Sequence, residues 1–278
     1  MSVTLLRRGL RGEMYRSGLR QSTRTEVSDL LNFLPAARLL KYEAICGKDS
    51  HSVEKLYMYN HELSMAIFSD IAFLEVIMRS SMAAQLRSQL GVDWYQSKEH
   101  FDDRSMENIE KAIAKSGITK GNFEPLVAHG KVVSSFTFGF WVGLLGRGGY
   151  QNDNVEKDIY PNGRRMFYDE ILWKPALANA FPFAPAGHRR SIERHARSVN
   201  LMRNRIAHHE PIIFGIPQDG AYGRNGSINR KSVKDSWSDL SALSKYIQVD
   251  FAEWLKSNSK VDLLIGNRPV SHEALLID

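Results

Sequence analysis

A long run of apolar residues, repeating every three or four positions, constrains the fold of this chain more than any other feature. Its members are Leu63, Ile67, Ile71, Leu74, Met78, Met82, Leu86 and Leu90. This spacing places them on one face of a helix. Phe68, Phe73, Val76 and Ile77 lie off that face, so the helix is apolar on most sides, as buried central helices are. We therefore predict one central helix over residues 51–90.

Further helical periodicity predicts that the rest of the fold is helical as well. One helix starts near Asp29 with Ser28 as its cap, and others follow at Ser105–Lys115, Lys131–Leu145, Met166–Phe181, Arg189–His208 and Val233–Ser257. Two segments rich in Gly, Asn and Pro, residues 146–163 and 215–232, predict long surface loops. Because alternating strand patterns are scarce, the predicted fold class is all-α, a helical bundle.

The chain is expected to form one domain with two tails. Residues 1–25 carry six arginines and are predicted to be a basic N-terminal tail. Residues 26–260 form the predicted single domain, and residues 261–278 a C-terminal tail. A chain of 278 residues is long enough for one large core.

Composition excludes several classes of protein. Cys46 is the only cysteine, which excludes an intrachain disulfide and a four-cysteine zinc site. The formal charge of +6 favours a polyanionic partner such as nucleic acid. No apolar stretch has the roughly 20 uncharged residues of a membrane span, so we expect a soluble, cytoplasmic protein without membrane contact. The spacing of the histidines does not suit zinc, and no metal or other cofactor is expected.

The segment from Arg189 to Phe214 carries the chemistry. On a helix, one arc of this segment is apolar and comprises Ile192, Val199, Met202 and Ile206. Another arc is polar and comprises Arg197, Asn200, Asn204 and His208. Pro211 disfavours a helical conformation at Glu210, so the helix should stop near His209. His208 and His209 are therefore expected in its last turn.

Arg203 projects beside the apolar arc, where a guanidinium needs a partner. On the central helix, Glu75 lies within the apolar stripe, where its carboxylate also needs a partner. One hypothesis pairs Glu75 with Arg203, or with Arg79, across a helix–helix contact. The alternative is a local Glu75–Arg79 pair worth about 0.3–0.5 kcal/mol.

Three motifs in order along the chain resemble those of a known family. Arg203 to His209, RNRIAHH, resembles the RN-x-x-A-H-H signature of the Abi-like (abortive infection) proteins of the HEPN superfamily. LEVIMRS at residues 74–80 resembles the family's LE-x-x-x-R-N, with Ser80 in place of the usual Asn. TFGFWVGLL at residues 137–145 resembles its TFGFW segment. The resemblance covers about residues 30–250.

The resemblance implies a HEPN-like helical bundle, here with additional helices and two long loops, and a homodimer. It also implies a metal-independent endoribonuclease of antiphage defence or toxin-type growth arrest, in which an arginine and a histidine act on RNA. A histidine can move the protons of the 2′-hydroxyl and the leaving 5′-oxygen, and an arginine can hold the phosphate. The residues assigned are Arg203, His208 and His209 as catalytic, Asn204, Glu75 and Arg79 as supporting or orienting, and Arg205 and Arg197 as RNA-binding.

Other functions remain open at this point. The chain could instead be a non-catalytic RNA-binding or interaction module with a degenerate site. As a toxin, it would be controlled by an antitoxin or a phage-derived trigger. The aromatic residues Phe138, Phe140 and Trp141 are expected to pack in the core, with a base-stacking platform as the alternative.

Overall fold

The structure, a computed structural model, describes residues 29–152, 159, 162–185, 188–222 and 228–278. The helices are α1 Ala36–Cys46, α2 Ser50–Leu90, α3 Asp103–Ser116, α4 Pro125–Ser135, α5 Phe138–Leu144, α6 Arg189–Ala207, α7 Val233–Ile247, α8 Val249–Asn258 and α9 Val261–Gly266. The strands are β1 Tyr150–Gln151, β2 Arg164–Arg165, β3 Ile216–Tyr222 and β4 Ile228–Lys231. The fold is predominantly all-α, as predicted. The predicted basic tail and Ser28 lie outside the described residues.

The central helix α2 is confirmed and runs for about 60 Å. It begins where the Asp49 carboxylate accepts a hydrogen bond from the Ser52 backbone N–H at 3.0 Å. Its predicted apolar face is buried from Leu63 to Leu86 and packs against α1, α6, α7 and α9. The prediction that α2 is buried on most sides is wrong, because its outer face leaves Phe68, Phe73 and Val76 exposed.

An aromatic cluster connects the TFGFW segment to the core. Phe136 and Phe140 stack with ring centroids 4.0 Å apart, and Trp94 and Trp141 pack around them. All four side chains are buried. The predicted core role of this segment is therefore confirmed in preference to a base-stacking platform.

Three predicted helices are interrupted. The helix predicted at 131–145 breaks before α5, where the Thr137 hydroxyl accepts a hydrogen bond from the Phe140 N–H and caps the new helix. Gln248 adopts an extended conformation and separates α7 from α8. Between 166 and 181 there is no α-helix but a π-helical turn and a 3₁₀ turn, since Pro175 cannot donate a helical hydrogen bond.

The two predicted loop segments take part in short β-hairpins that sequence periodicity did not reveal; strand β2 lies just beyond the first segment. β1 pairs with β2 through Tyr150 and Arg165, and β3 pairs with β4. Gly148 lies just before β1 with a φ of 76°, and a Cβ there would lie 2.0 Å from the Met166 carbonyl oxygen. Glycine is required at that position. Residues 153–158, 160–161 and 223–227 of these segments lie outside the described residues.

The last residues pack against the helical domain. The segment 261–278 contains α9 and ends with the buried side chain of Ile277. Backbone hydrogen bonds of 2.9 Å connect Leu276 to Ile213 and to Val233. In the described part of the chain, no helix is both long and apolar enough to cross a membrane.

Candidate functional site

Helix α6 carries the motif Arg203 to His209 and is held by its apolar arc. Ile192, Val199, Met202 and Ile206 are all buried, as their spacing predicted. This arc packs against α2, α5 and α7. The helix ends at Ala207, and His208 is its C-cap residue with an ordinary φ of −87°. The predicted stop near His209 is confirmed.

The end of α6 forms a Schellman motif around His209. The His209 N–H donates to the Ile206 carbonyl at 2.9 Å, and the Glu210 N–H donates to the Arg205 carbonyl at 2.9 Å. His209 adopts a φ of +55°, a left-handed conformation that glycine normally occupies at this position. Among the described residues, it is the only non-glycine residue with a positive φ. Local strain of this kind concentrates at functional sites.

Two residues that sequence reasoning missed hold the backbone at His209 and just after it. The Arg38 guanidinium on α1 donates to the His209 carbonyl oxygen. The buried Asn60 on α2 accepts hydrogen bonds at Oδ1 from the N–H groups of Ile212 and Ile213, at 2.9 and 3.3 Å. A polar Asn in the buried face of an apolar helix was the available signal for this contact.

The two imidazoles are exposed while their backbone is fixed. The His208 N–H donates to the Asn204 carbonyl at 3.0 Å, and both histidine residues are exposed. A substrate can therefore reach both rings without displacing the core. Within the described part of the chain, no group of three or more His, Cys, Asp or Glu residues is arranged to hold a metal ion.

Arg203 is partly buried between α6 and its neighbours. Its Nε is buried and has no hydrogen-bond partner in the described part of the protein. Its Nη1 lies 3.4 Å from Asn204 Oδ1, so the Asn204 amide contacts Arg203 and forms no hydrogen bond with the His208 imidazole. On an ideal helix, Arg203 and His208 lie about 140° apart. Regular helical geometry alone therefore does not bring them together.

The hypothesis that Glu75 pairs across the helices is wrong for the described residues. Glu75 forms no ion pair within 4.0 Å with Arg203 or Arg79 there. The local Glu75–Arg79 pair is absent from the same set. The reason is that Glu75 and Arg79 lie on a partly exposed flank of α2, where water solvates their charges.

The two arginines predicted to bind RNA occupy different environments. Arg205 is only 14% exposed and pairs with Glu210 at 2.8 Å, while its Nε donates to the Pro211 carbonyl at 3.0 Å. It therefore holds the turn after the helix. Arg197 is half exposed, and its guanidinium contacts Glu193 at 3.0 Å.

Cationic side chains surround the end of α6. Burial lowers the pKa of Lys41, and the nearby charges of Arg230 and Arg205 lower it further, with Glu210 acting in the opposite direction. Arg38 adds another positive charge beside His209. The local excess of positive charge suits a phosphodiester.

Replacing His209 with glycine is expected to raise the free energy of unfolding by about 0.5–1 kcal/mol. Glycine removes the steric penalty of a left-handed residue, about 1–2 kcal/mol, and loses part of that gain to its larger unfolded-state entropy. Urea unfolding of His209→Gly and His208→Gly provides the comparison. His208 has an ordinary φ, so its glycine variant should be less stable than the wild type. Equal destabilisation by both substitutions would show that His209 is unstrained.

The TFGFW segment also contacts the motif helix. A Cβ on Gly139 would lie 3.9 Å from the side-chain amide of Asn200 on α6. The TFGFW segment at the start of α5 thus packs against the helix that carries the histidines, and α2 contacts the same helix.

Comparison with known proteins identifies the family. The model of the Abi-like protein family matches residues 33–213, which contain all three motif segments. No curated protein and no solved structure matches the chain. The matched region spans more than half of the 278 residues and ends just after the histidines. The chain therefore belongs to the Abi-like protein family.

Proposed function

We propose that this chain is an endoribonuclease of the HEPN type that acts without a metal ion in abortive infection. An abortive-infection role agrees with its family. The observation that carries the enzymatic proposal is the end of α6, where His209 is held in a left-handed conformation beside the exposed His208. Cationic residues lie at this helix end, and both histidine residues are exposed.

The proposed reaction needs only groups that RNA and this helix end supply. The 2′-oxygen attacks the adjacent phosphorus and its proton passes to one imidazole, while the P–O5′ bond breaks. The second imidazole protonates the leaving 5′-oxygen, so the products are a 2′,3′-cyclic phosphate and a 5′-hydroxyl. Each proton transfer contributes about 10²- to 10⁴-fold. The Arg203 guanidinium stabilises the extra negative charge on the phosphate.

A homodimer is part of this proposal. Arg203 and His208 face different sides of α6, so a cleft between two copies can combine the arginine of one with the histidine of the other. The outer face of α2 supports self-association because Met65, Phe73 and Val76 are 41–47% exposed. Light scattering should give twice the mass of one chain. A monomer that cleaves RNA would contradict the shared cleft.

Replacing Arg203 tests the role of the guanidinium. We expect Arg203→Ala to lower the rate of RNA cleavage by about 10²- to 10³-fold, as removal of a preorganised donor does. Arg203→Lys should recover part of the loss, since it restores the charge without the planar fork. The measurement is kcat/KM on labelled RNA in EDTA.

The matched control is Arg87→Ala. Arg87 is exposed and lies about 40 Å along α2 from Asn60, far from the motif. Its variant should cleave RNA at the wild-type rate. Full activity in a folded Arg203→Ala protein would remove the guanidinium from the mechanism.

One observation favours a second function, a non-catalytic RNA-binding module. The Arg203 Nε is buried and its Nη1 contacts Asn204, which also suits a purely structural arginine. In that case, RNA binds to the purified protein and remains uncut. The cleavage assay separates the two functions.

A further inference from the structure

Three adjoining hollows form one groove along α6. Their volumes are about 470, 390 and 630 Å³, and Arg147 lines all three. Arg197 is shared by the first two and Arg190 by the last two. The shared residues show that the three hollows adjoin one another, and we call them together the arginine groove. It is lined by Arg147, Arg165, Arg190, Arg194, Tyr150 and Phe167.

The carboxylates of the groove already have donors. They are Asp102, Asp103, Asp169 and Glu193. Asp102 accepts the Ser105 N–H as the cap of α3, and Asp103 accepts from Asn152. Asp169 forms an ion pair with Arg189 at 3.0 Å. Glu193 accepts a hydrogen bond from Arg197 at 3.0 Å and lies 3.7 Å from Arg189. A cation therefore compensates the charges of Asp169 and Glu193, while the oxygens of Asp102 and Asp103 are occupied by neutral donors.

Two arginines of the groove have no side-chain partner in the described residues, whereas Arg165 lies over aromatic rings and Arg194 donates to Ser191. Arg147 and Arg190 form no ion pair with any residue in the described ranges. Arg190 also lies in the first turn of α6, where the helix dipole disfavours a cation by about 0.3–1 kcal/mol. Its neighbour Arg189 has a structural reason to be there, because it bonds to Asp169 and to the Leu145 carbonyl. The structure offers no such reason for Arg190, which points to a ligand.

Aromatic rings form the other part of the wall. The Arg165 guanidinium lies 4.9 Å from the Tyr150 ring centroid and 5.9 Å from that of Phe167. Tyr150 is 51% exposed and Phe167 60% exposed. Aromatic rings and a guanidinium plane are the surfaces on which unpaired bases stack. In a duplex, the faces of each base are covered by the neighbouring bases, so they cannot stack on a protein side chain.

The groove leads toward the histidines along one face of α6. Steps of three or four residues connect Arg190, Arg194, Arg197, Leu201, Asn204 and His208. From Arg190 to His208, this stripe extends about 27 Å. At a stacked spacing of about 3.4 Å per nucleotide, it spans about eight nucleotides.

We infer that single-stranded RNA binds in the arginine groove, with its phosphates on Arg147 and Arg190 and its bases on Tyr150 and Phe167, and extends along α6 to His208. This inference rests on the proposed function for the identity of the nucleic acid. The groove then holds nucleotides remote from the bond that is cut. It would select unpaired RNA over duplex RNA.

Binding is measured in the full chain carrying His208→Ala, so that the RNA stays intact. Fluorescence anisotropy gives the Kd of a labelled single-stranded RNA of about twelve nucleotides over a series of salt concentrations. Tyr150→Ala with Phe167→Ala should weaken binding by at least about fivefold, given the usual contribution of stacked bases. Arg147→Glu with Arg190→Glu should weaken it by at least about tenfold and reduce the salt slope by about one to two.

Matched controls separate the groove from general effects. Phe33→Ala removes another exposed ring, and Arg87→Glu reverses another exposed charge. Neither should change the Kd by more than about twofold. Arg147→Lys with Arg190→Lys should retain most of the binding and the full salt slope. The Arg190→Glu change favours the helix dipole, so it should leave α6 folded.

The outcomes distinguish this inference from the proposed function. Unchanged affinity in both groove variants, or equal affinity for duplex and single-stranded RNA, would overturn the groove. If the wild type binds RNA through the groove but never cleaves it, the groove stands and the nuclease does not. In an active enzyme, the groove variants should impair cleavage of a twelve-nucleotide RNA more than that of a dinucleotide, because a dinucleotide is too short to reach Arg190.

Discussion

We expect His208→Ala to lower the rate of RNA cleavage by about 10²- to 10⁴-fold without destabilising the protein. The imidazole is exposed, and the contact of His208 with its own helix is a backbone N–H that alanine also has. The decrease in cleavage rate therefore comes from the loss of proton transfer alone, for which this range is typical. A surface substitution of this kind should change the free energy of unfolding by less than about 0.5 kcal/mol.

The measurement combines single-turnover cleavage with urea unfolding. His61→Ala is the matched control, because His61 is another exposed histidine, on α2. It should cleave RNA like the wild type. If His208→Ala cleaves at the wild-type rate and His209→Ala does not, His209 alone carries the chemistry. If both variants are fully active, the imidazoles have no catalytic role.

The largest loss of stability is expected from Asp239→Ala. Asp239 on α7 lies with Oδ1 2.8 Å from His195 Nδ1 of α6, and its Oδ2 accepts from Lys231 on β4. The carboxylate is largely buried, so its removal leaves two partly buried donors without an acceptor. Breaking a buried pair typically costs about 3–5 kcal/mol. Because Lys231 is partly solvated, we expect a decrease of about 2–4 kcal/mol in the free energy of unfolding.

This contribution should depend on pH. Burial raises the pKa of Asp239, but the hydrogen bonds from His195 and Lys231 outweigh it and hold the pKa below its usual range. A carboxyl group with a lowered folded-state pKa stabilises the fold above its unfolded pKa of about 3.9 and loses that contribution as the pH falls through the folded value. The gap between wild type and Asp239→Ala should therefore be full at pH 7 and narrow in acid, below about pH 4.

Urea unfolding at pH 7 and pH 3 tests this prediction. Asp250→Ala is the control, since Asp250 is exposed in the first turn of α8 and should contribute less than about 1 kcal/mol. A loss in Asp239→Ala no larger than that of the control would contradict the buried network. So would a large loss of equal size at both pH values.

The network and the site lie on the same helix. His195 connects the middle of α6 to α7, and Arg38 and Asn60 hold the backbone just beyond its end. Strain at His209 is tolerated because these contacts over-determine the position of the turn. The imidazoles are thus presented to solvent from a rigid support, which favours catalysis over adaptable binding.

Local patterns in the sequence were sufficient for α2 and α6. Apolar spacing placed Leu63 and Val199 in the core, and Pro211 located the end of α6 to within two residues. The interruptions at Thr137 and Gln248 were not predicted, because the flanking apolar pattern continues across them. The hairpin strands β1 and β2 have two residues each, too few for an alternating pattern.

Contacts between distant segments account for the rest of the site. Arg38 and His209 are 171 positions apart, and Asn60 and Ile212 are 152 apart. Neither Arg38 nor Asn60 has a local sequence pattern that identifies its partner. The pairing expected for Glu75 failed because a helical projection shows which residues share a face but not how deeply that face is buried. The left-handed conformation of His209 depends on hydrogen bonds that form only in the complete turn.

Cleavage of a matched pair of RNA substrates in EDTA tests the central claim most directly. One strand is all-ribose, and the other carries a single 2′-deoxy substitution at the position where the first is cut. The proposal predicts cleavage of the first strand to a 2′,3′-cyclic phosphate and a 5′-hydroxyl, and no cleavage at the substituted position. Equal cleavage of both strands, or products ending in a 3′-hydroxyl and a 5′-phosphate, would contradict attack by the 2′-oxygen and with it the assigned mechanism.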